Sequence, residues 1–205
     1  MKKTLRIYAL SDIHSPADFY MPEITPDKFD LVLTLGDIED GTLDYILQMS
    51  KRVPCYGVPG NHDSPNLPGL NNLHGKAVTI NGVRIAGIGG ARKYKKDHPH
   101  HYTDLQMKMM MKLVPPADLI ISHAPPLATS TNEDRIHQGF SSYDHYIEKH
   151  QPQMWLHGHT GKKFTGNYKN TAIYGVSVKR PLVLEFDLSQ PRKKSLKGFV
   201  TGLLP

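Results

Sequence analysis

The chain has 205 residues, of which 39% are hydrophobic and 21% are charged, and its formal net charge is +6. This length favours a single α/β domain with one sizeable core, and the composition excludes an intrinsically disordered chain. No apolar stretch approaches the roughly 20 residues of a membrane-spanning helix, and Cys55 is the only cysteine, which excludes an internal disulfide. Because no cleavable leader is recognisable, we expect a cytoplasmic protein without a membrane partner.

Short apolar runs predict β-strands at residues 5–10, 31–35, 55–58, 119–121 and 154–156. Segments with helical character lie between them, at residues 43–51, 104–113 and 143–149. Asn81-Gly82 predicts a β-hairpin, and residues 171–176 and 182–186 resemble two further antiparallel strands. The alternation predicts βαβ units in a layered α/β sandwich, with one domain over residues 1–188.

The excess of positive charge, with a pI near 9.3, favours anionic partners such as phosphate esters or nucleic acid. Part of the excess lies near the C-terminus, at Arg192, Lys193, Lys194 and Lys197. We interpret residues 189–205 as a basic tail, either packed on the domain or free of it. Aromatic and basic residues do not alternate as they do in single-strand-binding surfaces, so a small phosphate ester is favoured over nucleic acid.

Candidate metal ligands follow the predicted strands directly. In open α/β sheets, ligands bind beyond the carboxyl ends of the strands. The six side chains at such positions are Asp12, His14, Asp37, Asn61, His123 and His159. Two carboxylates, one amide and three imidazoles suit Mn²⁺, Fe, Zn²⁺ or Mg²⁺, whereas the absence of a thiolate argues against a structural zinc site. Each short motif alone is common in turns, but their ordered succession predicts a metal centre.

These motifs occur in the order known from one enzyme family. They are Asp12-Ile13-His14, Gly36-Asp37, Gly60-Asn61-His62-Asp63, His123 and Gly158-His159-Thr160. From about residue 5 to residue 186 the chain resembles a small, cap-less calcineurin-like metallophosphoesterase. The resemblance implies a four-layer αββα sandwich, in which helices flank two mixed β-sheets and a binuclear metal site lies between loops. It also implies hydrolysis of small, soluble, nucleotide-like phosphodiesters or phosphomonoesters by metal-activated hydroxide.

The same resemblance implies how two divalent ions are bound, with Mn²⁺ favoured over Fe, Zn²⁺ or Mg²⁺. Asp12 and His14 bind the first ion, and Asp37 bridges both. Asn61, His123 and His159 complete the ligand set of the second ion. Bridging requires a carboxylate, because its two oxygens can bind two cations about 3.5–4 Å apart.

Further residues are implicated in catalysis and in substrate binding. By resemblance, His62 is the catalytic histidine that donates to a phosphoryl oxygen, and Asp63 orients it. Arg92 and Lys93 follow a predicted strand and are candidates for contacting a phosphate. Residues 15–27, 64–73 and 92–102 form the longest loops and are predicted to surround the substrate.

The last motif departs from the family pattern Gly-His-x-His, because Gly161 stands where a second histidine belongs. The first ion would lose one ligand, so its site should be weakened. His157 could face the same side of a strand as His159, but a buried or supporting role is favoured for it. Two alternatives remain open: an enzyme whose activity is attenuated, or a low-activity nucleotide-binding or scaffold protein on a degenerate phosphoesterase fold.

Two clusters in the sequence are interpreted without a functional role. His98, His100 and His101 are predicted to lie in a solvated loop, in preference to a separate metal site. A methionine group, Met107, Met109, Met110 and Met111, is predicted to fill the core from an amphipathic helix.

Overall fold

Two β-sheets stacked face to face form the centre of the structure. The computed structural model describes residues 4–15, 21–96, 98–130, 134–177 and 181–188, so the predicted tail at 189–205 lies outside the described residues. In chain order the strands are β1 (Thr4–Leu10), β2 (Leu31–Thr34), β3 (Cys55–Gly57), β4 (Asn71–Asn72), β5 (Ala77–Ile80), β6 (Val83–Ile88), β7 (Ala91–Arg92), β8 (His101–Tyr102), β9 (Leu119–Ser122), β10 (Met154–His157), β11 (Phe164–Tyr168), β12 (Thr171–Gly175) and β13 (Leu182–Asp187).

Both large sheets are mixed, as predicted. The first has the order β13-β1-β2-β3-β4, and the second has the order β11-β12-β10-β9-β6-β5. In the first sheet, only the pairing of β13 with β1 is antiparallel among the described strands. In the second sheet, the edge strands β11 and β5 are antiparallel to their neighbours, and the inner strands are parallel. Strands β7 and β8 form a separate parallel pair.

The predicted hairpin is confirmed at β5 and β6, where Ile80 pairs with Val83. Asn81 has φ 48° and Gly82 has φ 85°, as a tight turn with two left-handed residues requires. The two strands near the end of the chain are also present, but they do not pair with each other. Strand β12 is parallel to β10 in the second sheet, and β13 is antiparallel to β1 in the first.

Within the described ranges, three α-helices cover the outer faces of the sheets: α1 (Asp40–Met49), α2 (Asp104–Met111) and α3 (Ser141–His150). Helix α1 begins earlier than predicted, because the Glu39 carboxylate accepts a hydrogen bond from the Thr42 backbone N–H at 3.0 Å and so caps the first turn. Helix α2 begins with a capping box between Thr103 and Gln106. None of the described helices has the length and apolarity needed to cross a membrane.

Alternating side chains divide the core into three layers, since successive residues of a strand point to opposite faces. In β1, Ile7 lies in the core between the two sheets, whereas Tyr8 packs in the core beneath α1. In β10, Leu156 lies between the sheets, whereas Trp155 packs beneath α2 and α3 with Tyr143. The two sheets and the helices on each side make the predicted four-layer αββα sandwich.

The methionine prediction is only partly correct. Met107 and Met111, one helical turn apart on α2, are buried in the core beneath the helix. Met109 is 54% exposed, because a position two residues from Met107 lies on the opposite side of a helix.

Candidate metal centre

Three side chains from three strand-end loops converge on one atom of a fourth. The Nε2 atom of His123 lies 3.2 Å from Asp37 Oδ2, 3.0 Å from Asn61 Oδ1 and 3.1 Å from His159 Nδ1. Parallel pairing of β1 with β2, β2 with β3, and β9 with β10 aligns the strand ends that precede these loops. The structure therefore brings together the set predicted for the second ion.

Backbone carbonyl groups orient both imidazoles of this cluster. Nδ1 of His123 lies 2.8 Å from the Leu35 carbonyl oxygen, and Nε2 of His159 lies 3.0 Å from the Ile136 carbonyl oxygen. A carbonyl oxygen can only accept, so these ring nitrogens carry the protons. The other nitrogen of each ring, His123 Nε2 and His159 Nδ1, is left free to face the cluster, which is the arrangement found around metal-binding histidines.

The spacing of the donor atoms fits a divalent cation. Asp37 Oδ2, Asn61 Oδ1 and His159 Nδ1 all carry lone pairs, and so does Nε2 of a neutral His123. Such atoms repel one another at 3.0–3.2 Å unless a positive charge lies among them. Metal–ligand bonds of about 2.0–2.2 Å place neighbouring ligands roughly 3 Å apart, so the observed spacing suits one ion. Asp37, His123 and His159 are all buried.

The electrostatics of the cluster also favour positive charge at its centre. Burial alone would lower the pKa of His123, but the adjacent Asp37 carboxylate outweighs burial and raises that pKa to about 9. Burial likewise opposes charge on Asp37, yet its contact with His123 lowers the pKa of Asp37 well below the usual range. Burial and the neighbouring His123 together lower the pKa of His159 to about 3, so this imidazole is neutral.

Three of the predicted ligands have a left-handed backbone: Asp12 at φ 57°, Asp37 at φ 54° and His159 at φ 67°. Residues with a Cβ adopt this region at a cost of about 1–2 kcal/mol each, and such strain concentrates at functional sites. Two glycines allow the loops to approach closely. A Cβ at Gly60 would lie 2.0 Å from Asp37 Oδ1, and one at Gly158 would lie 1.8 Å from Ser11 Oγ.

The residues predicted for the first ion lie beside this cluster in a looser arrangement. Asp12 is buried, and its Oδ2 accepts a hydrogen bond from the His159 backbone N–H at 2.9 Å. His14 is exposed and lies edge-on to His62, with ring centroids 6.4 Å apart. A cleft of about 450 Å³, lined by His14, Asp37 and His62 among others, opens at this point.

His62 and Asp63, the predicted catalytic pair, differ in exposure and in their contacts. His62 is exposed in the cleft, and its backbone N–H donates to Asp37 Oδ1 at 2.7 Å. Asp63 is buried and accepts hydrogen bonds from three backbone N–H groups, those of Asp37, Ile38 and Gly60. Asp63 thus ties the loop after β2 to the loop after β3. Its predicted effect on the orientation of the His62 ring stays a prediction.

The comparison with known proteins agrees with this arrangement. The family model for calcineurin-like phosphoesterases matches residues 5–163, which is well over half of the chain. The chain belongs to the calcineurin-like phosphoesterase family. The predicted family is thereby confirmed. Members of this family are metal-dependent, and Asp37, His123 and His159 form a cluster that could hold a metal ion.

Individual relatives support the same fold. A protein of Haemophilus influenzae is 32% identical over 89 residues, and this match spans 38% of the present chain and only 39% of the relative. A solved structure from Thermus thermophilus is similar with a TM-score of 0.62 at 17% identity, covering 90% of this chain and 95% of the other. A phosphopantetheinyl hydrolase from Mycobacterium tuberculosis gives the same TM-score at 11% identity, covering 86% and 91%. At these identities the solved structures show a shared fold.

Gly161, which stands where the family pattern has a histidine, has a backbone conformation typical of glycine. Its φ is 63°, in the left-handed region that favours glycine. His157 does not supply the missing ligand. It is buried, contacts Phe164 with ring centroids 6.2 Å apart, and its pKa is lowered to about 4 by burial. The buried role predicted for His157 is therefore correct.

Arg92 and Lys93, the predicted phosphate-contacting residues, both line a pocket next to the metal centre. Arg92 is largely occupied within the protein, because its Nη1 pairs with Asp104 at 2.8 Å and its Nε donates to the Gly139 carbonyl at 2.9 Å. Its guanidinium also lies over the Phe140 ring. Lys93 is exposed.

Sequence reasoning missed several contacts around the centre. The Tyr94 hydroxyl accepts from Asn61 Nδ2 at 3.4 Å, which turns Asn61 Oδ1 towards His123. The His137 ring lies 5.1 Å from that of His159, and its Nδ1 lies 2.6 Å from Asp134 Oδ2. No motif marked these residues, because Asp134 and His137 lie in a loop without a preceding apolar strand.

The predicted solvated histidine loop is wrong in one respect. His101 is only 5% exposed, and its ring centroid lies 4.4 Å from those of both His98, on which it stacks, and Tyr94, to which it is tilted by 40°. His98 also lines the cleft that holds His14 and His62. A larger groove of about 720 Å³ lies between α2 and α3, but its lining residues include none of the predicted site residues.

Proposed function

We propose that the chain is a metal-dependent phosphoesterase that hydrolyses phosphodiesters or phosphomonoesters of small, nucleotide-like substrates. The observation that carries this proposal is the convergence of Asp37, Asn61 and His159 on the Nε2 atom of His123, with both rings oriented by carbonyl oxygens. The phosphopantetheinyl hydrolase that shares the fold acts on a phosphate ester by its name, which supports the same class of reaction.

The two metal sites proposed here are unequal. Asp37, Asn61, His123 and His159 would hold one divalent ion, for which Mn²⁺ is the first candidate. Asp12 and His14, with Asp37 shared, would hold the other more weakly, because Gly161 contributes no side chain. When bound, the ions would supply Lewis-acid stabilisation of phosphoryl charge and a nucleophile near neutral pH.

Residues of the chain complete the proposed site. His62 is exposed in the cleft beside His14, where its imidazole can donate to a phosphoryl oxygen or to the leaving group. Asp63 acts on the site through the backbone, since it fixes the loops that present Asp37 and Gly60. The proposed partner is a small phosphate ester, and nucleic acid is less favoured. The proposed location is the cytoplasm, because the single thiol, that of Cys55, is free and buried.

The test is hydrolysis of bis(p-nitrophenyl) phosphate and p-nitrophenyl phosphate by protein stripped with a chelator and reloaded with Mn²⁺. The wild type should release p-nitrophenol, and His62→Ala should lower kcat by about 10²–10⁴-fold without loss of bound metal. The control is His145→Ala, an exposed histidine of α3. Absence of product with Mn²⁺, Fe²⁺, Zn²⁺ and Mg²⁺, or full activity of His62→Ala, would exclude the proposal.

Gly161 favours a second candidate, a nucleotide-binding or scaffold protein with little turnover. Its left-handed φ of 63° and lack of an imidazole leave the first ion with fewer ligands than the family pattern provides. Calorimetry with adenosine 5′-monophosphate on the Mn²⁺-loaded protein separates the candidates. Binding that depends on metal, combined with no release of p-nitrophenol in the assay above, would support the nucleotide-binding protein.

A further inference from the structure

A second pocket lies directly beside the metal ligands. Its volume is about 400 Å³, within the range of small-molecule sites, and its walls include Arg92, Lys93, Tyr94, Asp104, Arg135 and Ile136. We call it the cationic side pocket. It is formed where the chain after β7 faces the loop that contains Ile136.

The cationic side pocket shares its wall with the metal centre. The hydroxyl of Tyr94, a lining residue, accepts from Asn61 Nδ2 at 3.4 Å. The carbonyl oxygen of Ile136, another lining residue, accepts from His159 Nε2 at 3.0 Å. Tyr94 alone would therefore separate a group bound in this pocket from Asn61, and Ile136 alone would separate it from His159.

The charge of the pocket is unbalanced. Three cationic side chains line it, those of Arg92, Lys93 and Arg135, and the Asp104 carboxylate pairs with Arg92 alone among them. Lys93 and Arg135 are exposed, and neither forms an ion pair with a carboxylate of the described residues. Arg92 is held in place by Asp104 and by the Gly139 carbonyl, so it lends the pocket a fixed shape. Lysine and arginine donors in a concave site are suited to phosphate oxygens.

We propose that the cationic side pocket binds a second phosphate group of the substrate, so that the favoured substrates are phosphate esters bearing another phosphate. This inference rests on the proposed function and specifies its substrate class. Lys93 and Arg135 are the residues that recognise the second phosphate. The alternative is a basic surface that is solvated and makes no contact with substrate.

Two substrates that differ by one phosphate test the proposal. Thymidine 5′-(p-nitrophenyl phosphate) and its 3′-phosphorylated derivative share the scissile bond and the leaving group. At fixed ionic strength, we expect kcat/KM of the Mn²⁺-loaded protein to be about tenfold or more higher for the 3′-phosphorylated substrate, chiefly through KM, since a charge-assisted contact is worth on the order of a tenfold change. Arg135→Gln and Lys93→Gln should each lower this preference severalfold, and Lys51→Gln, which changes an exposed lysine after α1 that does not line the pocket, should keep it.

Binding provides a second measurement that needs no turnover. Calorimetry should show that thymidine 3′,5′-bisphosphate binds about tenfold more tightly than thymidine 5′-monophosphate, and that Arg135→Gln and Lys93→Gln each reduce this difference severalfold. Equal kcat/KM for the two substrates, together with equal binding of the two nucleotides, would overturn the inference while leaving the proposed function intact. If neither substrate is hydrolysed, the proposed function fails, and the calorimetric comparison alone decides whether the pocket recognises a second phosphate.

Discussion

Nε2 of His123 lies 3.1 Å from Nδ1 of His159, and the remaining nitrogen of each ring is bound to a backbone carbonyl oxygen. Lone pairs alone would repel at this distance, so either a bound cation or a proton on His123 Nε2 must lie between the rings, and the pKa of about 9 for His123 shows that a positive charge is favoured there. Asp37 and Asn61 add oxygen atoms at 3.2 and 3.0 Å from the same nitrogen. This set of donor atoms is therefore suited to binding a cation.

Removal of His159 should abolish tight metal binding at this centre. We choose His159→Gly, because glycine accepts the φ of 67° at this position. Loss of a direct ligand should weaken the affinity for Mn²⁺ or Zn²⁺ by at least about 100-fold, since even supporting residues contribute 10–100-fold. Metal titration followed by elemental analysis measures this. His145→Ala is the control, and an unchanged stoichiometry in His159→Gly would place the ion elsewhere.

Asp63→Asn should destabilise the two loops that contain Asp37 and Gly60. The Asp63 carboxylate accepts from the backbone N–H groups of Asp37, Ile38 and Gly60 at 2.7–3.0 Å. An asparagine amide replaces one acceptor by a donor that faces N–H groups, which should cost about 2–4 kcal/mol of the free energy of unfolding. Urea denaturation in chelator measures this cost.

The exposed Asp44 of α1 provides the control for this change, as Asp44→Asn removes a carboxylate without breaking buried hydrogen bonds. Metal affinity should fall in Asp63→Asn along with stability, because the loop that presents Asp37 is no longer fixed. A variant as stable as Asp44→Asn would show that these three backbone groups find other partners.

Much of the fold and the ligand set could be predicted from the sequence because polar motifs follow short apolar strands. Buried strands are recognisable by composition, and their carboxyl ends necessarily meet at one edge of a parallel sheet. Asp37, Asn61, His123 and His159 therefore came together as predicted.

Other features of the site have no signature in the sequence. The carbonyl oxygens of Leu35 and Ile136 select the free nitrogen of each imidazole, and every residue has such a carbonyl. The ion pair between Arg92 of β7 and Asp104 at the start of α2 joins residues 12 positions apart, and no local pattern reveals it. For the same reason, His101 was assigned to solvent although it is buried against Tyr94.

Gly161→His tests whether the missing histidine limits metal binding at the first site. We expect the variant to bind more metal per chain than the wild type at equal free Mn²⁺. The φ of 63° should make it about 1 kcal/mol less stable, because residues with a Cβ are strained there.

Gly161→Asn is the matched control for that strain, since asparagine tolerates the left-handed region better than most residues and carries no imidazole. The histidine variant should exceed the asparagine variant in metal content and in phosphodiesterase rate. Equal metal content in both variants would mean that position 161 does not reach the first site.

Acid should destabilise the protein partly through His74, which is not one of the predicted metal ligands. Its Nδ1 accepts from the Gly89 backbone N–H at 2.8 Å, and its ring stacks on Tyr102. Burial, with smaller contributions from His100 and Lys76, lowers the pKa of His74 to about 4 from its ordinary 6.5. Between these values the unfolded chain binds the proton and the folded protein does not, so stability falls as pH decreases from about 6.5 to 4.

His74→Gln should reduce this loss, because a glutamine oxygen can accept from Gly89 without titrating. The free energy of unfolding, measured with denaturant in chelator, should decline by on the order of 1–3 kcal/mol less in His74→Gln than in the wild type between pH 6.5 and 4. The exposed His145→Gln should decline in parallel with the wild type. If the free energy of unfolding of His74→Gln fell with pH as steeply as that of the wild type, the loss of stability would have to be assigned to other buried histidines.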